Sequence, residues 1–232
     1  MILRKWDDLP DFMKCEEVRP YYVNLSKNKA SLFAKRVFDV IASLILLIIL
    51  AIPMLIIAIM IKLDSPGTVM FRQERITQYG KPFYIHKFRT MISNAESIGS
   101  SVTTNNDSRI TRVGGKLRDL RLDELPQLID VLIGDMSFVG TRPESTKYVK
   151  QYTEEMRATL LLPAGITSEA SIRYKDEAKL LDSSENVDKT YLEEVLPGKM
   201  KYNLNSLKNY SFGEDILTMF RTLFAVMGKE YK

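Results

Sequence analysis

The longest uninterrupted apolar stretch of the chain runs from Val40 to Ile61 and carries no charged residue. A helix that crosses a bilayer needs ~20 apolar residues, so the length suits a membrane segment. Pro53 lies inside the stretch, and a proline within a helix removes one backbone hydrogen bond and clashes with the preceding turn. The pattern therefore predicts either a kinked helix that crosses the membrane or a re-entrant helix that breaks at Pro53 and turns back.

Basic residues flank this stretch on both sides. Those before it are Lys27, Lys29, Lys35 and Arg36, and those after it include Lys62, Arg72 and Arg75. Lys and Arg accumulate on the cytoplasmic side of membrane segments, and both flanks meet that rule only if the chain returns to the side from which it came. Ser43 is the only hydroxyl in the stretch, so a break has few local hydrogen-bonding partners. The charges favour the re-entrant helix, and the spanning helix remains the alternative.

Alternation of apolar and polar residues follows the membrane stretch. Thr68 to Arg75 and Pro82 to Phe88 are rich in β-forming residues and are separated by a short polar segment, which predicts a β-hairpin with a loop. By contrast, residues 1–30 are mixed and polar, with two prolines, and predict a loosely structured arm.

Helical spacing dominates much of the rest. An apolar stripe that begins with Leu122 and Leu125 predicts a helix that ends near Ile133, with Gly134 as its stop. A second stripe, over residues 212–227, suits either the core or a membrane interface. The elements together predict an α-rich α+β fold.

Composition narrows the function. Lys plus Arg is 33 and Asp plus Glu is 29, so the net charge of +4 is only mildly basic, and no Lys/Arg-rich stretch with interleaved aromatic residues argues for nucleic-acid binding. Cys15 is the only cysteine, which excludes an internal disulfide and a Cys-based metal site. The chain contains no GxxxxGK[ST], GxGxxG or Asp-x-Asp motif, which argues against P-loop ATPases, dinucleotide binders and the commonest nucleotide-sugar glycosyltransferases.

Adjacent carboxylates, Asp123 and Glu124, open the predicted helix close to Arg118. One interpretation is structural, because aspartate is a good N-cap and acidic residues suit the first turn of a helix. The other is chemical: two carboxylates near arginines can hold a divalent cation, and a carboxylate can act as the nucleophile in phosphoryl transfer.

Five further residues are considered because of their charge or position. Arg142 lies in a Gly-Thr-Arg-Pro turn, where its planar guanidinium suits bidentate binding of a phosphate. Lys87 and Arg89 share one face of a strand and suit the same role, as does Arg75 in the preceding strand. His86 is the only histidine, and its place in the strand alternation favours a structural role.

Several segments, in this order, closely resemble those of the bacterial monotopic phosphoglycosyl transferases, the sugar transferases that initiate capsule, exopolysaccharide and glycan assembly: KRVFDV, KLDSPGTVMFRQER, KFRTM, LRLDELPQLIDVLIGDMSFVGTRP and PAGIT. The resemblance covers residues 35–167, with a weaker likeness in the C-terminal helix. The block from Leu122 to Pro143 is its most specific part.

The resemblance implies a fold and a location. The fold is a small cytoplasmic α+β domain with a short β-hairpin and interfacial amphipathic helices, held on the cytoplasmic face of the bacterial inner membrane. The chain then divides into an N-terminal arm over residues 1–30, a re-entrant membrane helix over 31–63 that breaks at Pro53, and a catalytic domain over 64–232. This domain includes the interfacial helix 212–227.

The resemblance also implies a reaction. It is the transfer of a sugar-1-phosphate from a UDP-sugar to polyprenyl phosphate, such as undecaprenyl phosphate, through a covalent phosphosugar-enzyme and with release of UMP. Asp123 matches the nucleophile, Glu124 matches its partner in a dyad that requires Mg²⁺, and Arg118 and Arg142 match arginines linked to phosphate binding. Membrane lipid and downstream glycosyltransferases are implied partners, nucleic acid is not, and a homodimer is left open.

Two other interpretations remain: a catalytically silent membrane-anchored scaffold of the same fold, and a bitopic protein whose domain lies outside the cell. The chain also departs from the family pattern. Ile52 stands where many members have serine before the break proline, Thr141 replaces a common proline and Thr77 a common glycine. After PAGIT, Ser-Glu-Ala-Ser replaces Gly-Trp-Ala-Gln, so the sugar specificity does not carry over.

Overall fold

The structure is a computed structural model that describes residues 3–95, 107–175, 177 and 186–226. Its α-helices are α1 (Arg19–Lys27), α2 (Lys29–Ile49), α3 (Ala51–Asp64), α4 (Arg112–Asp119), α5 (Gln127–Ile133), α6 (Thr146–Val149), α7 (Glu169–Arg173), α8 (Val187–Thr190), α9 (Leu196–Lys208) and α10 (Phe212–Val226). Shorter 3₁₀ helices are Trp6–Asp8, Asp11–Met13, Gln78–Gly80, Leu122–Glu124 and Glu155–Leu161, and a π-helical turn is Tyr191–Val195. The fold is α-rich, as the sequence pattern predicts.

The strands form two small sheets. They are β1 (Met70–Ile76), β2 (Pro82–Phe88), β3 (Met136–Val139) and β4 (Ala164–Thr167). Strands β1 and β2 pair antiparallel, with Met70 opposite Phe88, so the predicted hairpin is confirmed. Strands β3 and β4 pair in parallel, with Met136 opposite Ala164, and the sequence pattern did not predict this pair.

Helices α2 and α3 form a bent pair that meets at Leu50 with an angle of 61°. No single helix among the described residues is long and apolar enough to cross a membrane, whereas the two together are, by length and composition. The predicted break at Pro53 is therefore displaced toward the N-terminus. Proline cannot donate to the carbonyl of Ile49 and its ring clashes with that group, so the first helix ends there.

Pro53 itself lies in the first turn of α3, where backbone N–H groups have no partner inside the helix. The missing N–H therefore costs little at this position. The amide of Leu50 donates to the carbonyl of Leu46 at 2.8 Å, and the amide of Met54 donates to the carbonyl of Leu50 at 2.8 Å. The backbone groups at the bend thus form hydrogen bonds with one another. This geometry forms with isoleucine, not serine, at position 52.

The N-terminal segment is packed, and the prediction of a loosely structured arm is wrong for its described part. Buried apolar side chains from this segment join the largest core cluster with residues of α9: Leu9, Met13, Val18, Tyr21 and Leu25 with Leu196, Met200 and Leu204. Each buried side chain of this kind contributes roughly 1.5–3 kcal/mol. Asn24 adds two hydrogen bonds, both 2.9 Å, to the carbonyls of Leu207 and Lys208. The chain before the bent pair and the chain after it therefore share one core.

Buried charges join α2 to the rest of the fold. Lys35 donates to the carbonyl of Val139 at 2.8 Å and to Asp215 of α10 at 2.6 Å, and its side chain is only 3% exposed. Arg36 donates to two carbonyls at the end of α5, at 2.6 and 2.8 Å. The first half of the bent pair is thus held against α5, β3 and α10.

Helix α10 confirms the helical pattern predicted near the C-terminus, although the predicted end at residue 227 lies outside the described residues. Thr218 is buried, and Met219 packs on a core cluster formed by α2, α5 and the strands. Large apolar side chains of the same helix remain exposed: Leu217, Phe220, Leu223 and Phe224. The helix thus has one face on the core and another that carries exposed apolar side chains.

Candidate active site

The turn that carries Asp123 and Glu124 rests on α3. The predicted continuous helix is split here into the 3₁₀ turn Leu122–Glu124 and helix α5, because Pro126 between them favours a helix start. Leu122 and Leu125 pack against a cluster that includes Ile57 and Ile61 of α3. Side chains three positions apart share one face of a helical turn, so the two carboxylates between them lie on another face.

The predicted helix stop is confirmed at the other end of α5. Gly134 has a φ of 98°, a left-handed conformation that glycine adopts without strain, and its amide donates to the carbonyl of Asp130 at 3.1 Å. Helix α5 is therefore a short, well-terminated element behind the carboxylate turn.

Glu124 is held by two cations. Arg142 donates from both terminal nitrogens of its guanidinium, one of them 3.3 Å from Oε2, and Lys87 lies 3.3 Å from Oε1. The side chain of Glu124 is only 11% exposed, and this burial alone would raise its pKa. The charges of Arg142 and Lys87 outweigh burial, so the pKa lies well below its usual range. Glu124 is a fixed carboxylate anion.

Asp123 has different surroundings. It is half-buried, and no side chain among the described residues forms a hydrogen bond or an ion pair with it. Burial raises its pKa and the negative charge of Glu124 adds to this, while Lys87, Arg118 and Arg142 oppose it. The Asp123 carboxylate is therefore the one in the dyad whose oxygens are left for a ligand.

A cavity of about 180 Å³ adjoins this dyad, and three predicted phosphate-binding residues line it: Arg75, Lys87 and Arg142. They come from β1, from β2 and from the turn after β3. Burial lowers the pKa of Lys87 and that of Arg75, and the nearby acids Glu124 and Glu144 respectively oppose the shift. The fold thus brings together cations that lie far apart in the chain.

Arg118 lies apart from that cavity. It projects from α4, is half-buried, and burial lowers its pKa while the charge of Asp123 raises it. Its guanidinium donates no hydrogen bond to the residues that the structure describes. The predicted cations therefore fall into two groups, with Arg118 near Asp123 and the other three in the cavity.

Two neighbours of Lys87 have structural contacts. Arg89 is buried and donates to the carbonyls of Ser65 and Pro66, at 2.8 Å for Ser65, so it closes the loop after α3. His86 Nδ1 lies 2.6 Å from Asp130, whose other carboxylate oxygen accepts from the His86 amide at 2.9 Å. This pair ties β2 to α5 and agrees with the structural role expected for the histidine.

Sequence reasoning missed the other side of the cavity. Glu144, Tyr191 and Lys199 line it and are largely buried. Tyr191 and Lys199 come from a charged part of the chain with no clear periodicity, so no local pattern marked them. Their charge and aromatic character indicate a role at the site only after the fold has brought them to the cavity.

The donor set for a metal is small. Within the described ranges, no cluster of three or more His, Cys, Asp or Glu side chains is placed to hold an ion. Asp123 and Glu124 supply two neighbouring carboxylates. Mg²⁺ usually takes one or two carboxylates together with substrate phosphates. Because Arg142 and Lys87 already bind both oxygens of Glu124, the fit rests mainly on Asp123, with a phosphorylated ligand supplying further oxygens.

The chain belongs to the bacterial sugar transferase family, whose pattern matches residues 30–229. It is 35% identical over 198 residues to the UDP-N-acetylgalactosamine-undecaprenyl-phosphate N-acetylgalactosaminephosphotransferase of Aeromonas hydrophila, a match that covers 84% of this chain and 44% of that protein. It is 34% identical over 194 residues to the UDP-glucose:undecaprenyl-phosphate glucose-1-phosphate transferase of Escherichia coli (strain K12), covering 82% of this chain and 39% of that protein.

A shorter relative aligns over most of its length. The putative undecaprenyl-phosphate N-acetylgalactosaminyl 1-phosphate transferase of Bacillus subtilis (strain 168) is 41% identical over 158 residues, which cover 67% of this chain and 86% of that protein. By contrast, this chain spans less than half of the length of the Aeromonas and Escherichia proteins.

Proposed function

We propose that this protein transfers a sugar-1-phosphate from a UDP-sugar to polyprenyl phosphate, with release of UMP, as the first membrane step of glycan assembly. The observation that carries the proposal is the contrast within the dyad. Glu124 is fixed by Arg142 and Lys87, whereas Asp123 has no partner among the described residues. The names of the relatives, which act on UDP-sugars and undecaprenyl phosphate, support the same reaction.

The reaction proceeds in two displacements. A carboxylate oxygen of Asp123 forms a bond to the phosphorus that bears the sugar, and the bond from that phosphorus to the bridging oxygen breaks, so UMP leaves with the electron pair. An oxygen of polyprenyl phosphate then forms a bond to the same phosphorus and displaces the Asp123 carboxylate. The products are UMP and a polyprenyl diphosphate sugar.

Cations make this attack feasible. A carboxylate approaches a diphosphate only when the negative charges are neutralised, and the groups that do so here are fixed before the substrate binds. Arg75, Lys87 and Arg142 lie in the cavity and Arg118 lies near Asp123. Asp123 and Glu124 would also hold Mg²⁺, which would neutralise phosphate charge when bound.

The shared core supports a proposal for the placement of the bent pair in the membrane. We propose that α2 and α3 enter one leaflet and return, because the chain before them packs on α9, which follows them. A helix that crossed the bilayer would put these partners on opposite sides. The exposed apolar face of α10, with Phe220 and Leu223, fits an interfacial position beside the bent pair. In this proposed arrangement the dyad would lie at the depth of a lipid phosphate, on the cytoplasmic face that the basic flanks favour.

The experiment is a measurement of UMP release from a panel of UDP-sugars, with polyprenyl phosphate and Mg²⁺, for the wild-type protein and for Asp123→Asn. The wild type should release UMP from at least one sugar, and the variant from none. The matched control is Asp119→Asn, because Asp119 is exposed at the end of α4. A wild type that releases no UMP would support the silent scaffold, and wild-type turnover by Asp123→Asn would exclude Asp123 as the nucleophile.

A further inference from the structure

The cavity beside Glu124 has a second wall with different chemistry. Its first wall carries the cations Arg75, Lys87 and Arg142. Another part of the lining, called here the distal wall, combines an acid, two tyrosines and a lysine: Glu144, Tyr148, Tyr191 and Lys199. A second acid, Glu177, also lines the cavity and accepts from Lys199 at 3.0 Å. A diphosphate matches the first wall by charge, and the distal wall offers hydrogen-bonding groups to a neutral polar ligand.

The distal wall is buried and held by its own contacts. Tyr191, Tyr148 and Lys199 are 3%, 5% and 6% exposed, so they are fixed parts of the interior. The Tyr191 hydroxyl donates to Oε1 of Glu144, and Lys199 Nζ donates to the Tyr191 oxygen at 3.1 Å. Lys199 Nζ also lies 3.5 Å from Oε1 of Glu144. These contacts orient the carboxylate of Glu144 before any ligand binds.

Part of that carboxylate remains available. Both contacts use Oε1, and Oε2 of Glu144 accepts no hydrogen bond from the residues that the structure describes. Arg75 donates one N–H to the carbonyl of Glu74, at 3.2 Å, and a guanidinium carries five N–H donors. The cavity therefore presents an oriented acceptor together with spare donors, which is the complement of a ring bearing hydroxyl groups.

Size and connectivity identify the part of the donor that fits. Clefts that hold whole drug-sized ligands measure ~300–1,000 Å³, so a cavity of about 180 Å³ suits a single ring. In a UDP-sugar the sugar is bonded to the phosphorus that Asp123 attacks, whereas the uracil lies beyond a second phosphate and a ribose. The cavity shares Lys87 and Arg142 with the dyad, so the ring nearest the reacting phosphorus is the one that reaches it.

We propose that the distal wall binds the sugar ring of the donor, with Glu144 accepting a hydrogen bond from a sugar hydroxyl and Tyr191 and Lys199 orienting Glu144. The wall then determines which UDP-sugars are used. This inference rests on the proposed function and adds to it the residues that determine sugar specificity.

The test compares Glu144→Gln with the wild type on a panel of UDP-hexoses and UDP-N-acetylhexosamines that includes C4 epimers. The ratio of kcat/KM for the best sugar to that for its epimers should fall at least about tenfold, the effect of weakening one hydrogen bond to a charged group. Inhibition by UMP, which lacks the transferred sugar, should not change. Tyr191→Phe, which removes one hydroxyl, should shift the ratio in the same direction, and Glu194→Gln, an exposed neighbour, should not.

Three results overturn the inference, and they are distinguishable. Equal losses on every UDP-sugar in both Glu144→Gln and Tyr191→Phe would assign the wall a purely structural role. If Glu144→Gln weakened inhibition by UMP by the same factor as it raised KM for the UDP-sugar, the cavity would bind the uracil and not the transferred sugar. A wild-type protein that releases UMP from no UDP-sugar would remove the proposed function, and this inference with it.

Discussion

Asp123 and Glu124 are adjacent in the chain, yet their neighbours give them different properties. Glu124 receives three charge-assisted contacts, two from Arg142 and one from Lys87, and its pKa is lowered, while Asp123 has only longer-range attraction from Lys87, Arg118 and Arg142. A carboxylate held by hydrogen bonds orients the cations around it, and an unpaired carboxylate is available to react. The division of roles in the dyad thus comes from where the cations lie.

The bidentate contact of the Arg142 guanidinium with Glu124, called here the guanidinium fork, gives a prediction. Arg142→Lys keeps the charge but loses the planar, two-pronged donor, so Glu124 and the substrate phosphate lose a fixed contact. We expect kcat/KM for UMP release to fall ~10–100-fold, as for the loss of one charge-assisted hydrogen bond.

The control for that variant is Arg72→Lys, because Arg72 is exposed on β1 and its side chain lies over the ring of Tyr84, 5.7 Å from the centroid, away from the dyad. Arg72→Lys should keep wild-type kinetics. Equal activity of the two variants would show that the guanidinium fork has no role in turnover.

The sequence indicated the carboxylates and Arg142 because they lie in one dense segment with a family resemblance. It could not indicate Glu144 or Lys199 as partners, since their roles arise from a tertiary contact between distant parts of the chain. It also suggested a phosphate role for Arg89, which instead binds the carbonyls of a loop. Alternation assigns a side chain to a face of the strand but does not identify what that face meets.

At the scale of elements, short pieces meet around the site. The carboxylate turn rests on α3 through Leu122 and Leu125, and β2 is tied to α5 by His86 and Asp130. Strands β3 and β4 approach so closely that a Cβ added to Gly165 would lie 2.2 Å from the amide nitrogen of Gly140. The turn with Arg142 follows this contact directly, so its position depends on the close approach.

Gly165→Ala tests that dependence. The added methyl meets backbone atoms and cannot be accommodated by a side-chain rotation, so the strands must separate. We expect a loss of about 1–3 kcal/mol in the free energy of unfolding, typical of overpacking, together with slower UMP release. Thermal or denaturant unfolding measures the first quantity.

The comparison variant is Gly213→Ala, where the nearest atom to the new Cβ is Ser211 Oγ at 3.8 Å. It should leave stability unchanged or raise it slightly, since alanine favours helix over glycine. Equal free energies of unfolding for the two variants would show that the close approach of β3 and β4 does not limit the side chain at Gly165.

Elements were predicted where the local pattern was strong. The hairpin followed from alternation, and the end of α5 followed from Gly134. The bend between α2 and α3 was predicted at the proline but lies at Leu50, because proline acts on the carbonyl one turn before it. The parallel pair of β3 and β4 carried no signal, since each strand is short and its partner is distant in the chain.

For the whole molecule, the decisive feature is the core shared by the chain on either side of the bent pair. The N-terminal segment looked polar because its buried residues are scattered among charged ones, and only packing against α9 shows their role. This shared core supports the proposal that both ends of the bent pair lie on one side of the membrane. The basic flanks favour the same arrangement.

Cysteine labelling measures this arrangement. In a Cys15→Ser background, Lys5→Cys and Lys208→Cys place single thiols at exposed sites before and after the bent pair. In oriented membrane vesicles both should react with an impermeant reagent from the cytoplasmic side only. Labels on opposite sides would rule out re-entry and support the bitopic alternative, and labels on the outer side alone would contradict a cytoplasmic domain.

The central claim is that Asp123 carries the phosphosugar between the two substrates, and intact-protein mass spectrometry tests it most directly. The protein is incubated with UDP-sugar and Mg²⁺ but without polyprenyl phosphate. We expect a mass increase equal to one sugar phosphate, located on Asp123 by peptide analysis, with one UMP released per protein and reversal when polyprenyl phosphate is added. UMP formation that requires polyprenyl phosphate and leaves the protein mass unchanged, or an adduct that persists in Asp123→Asn, would contradict the account.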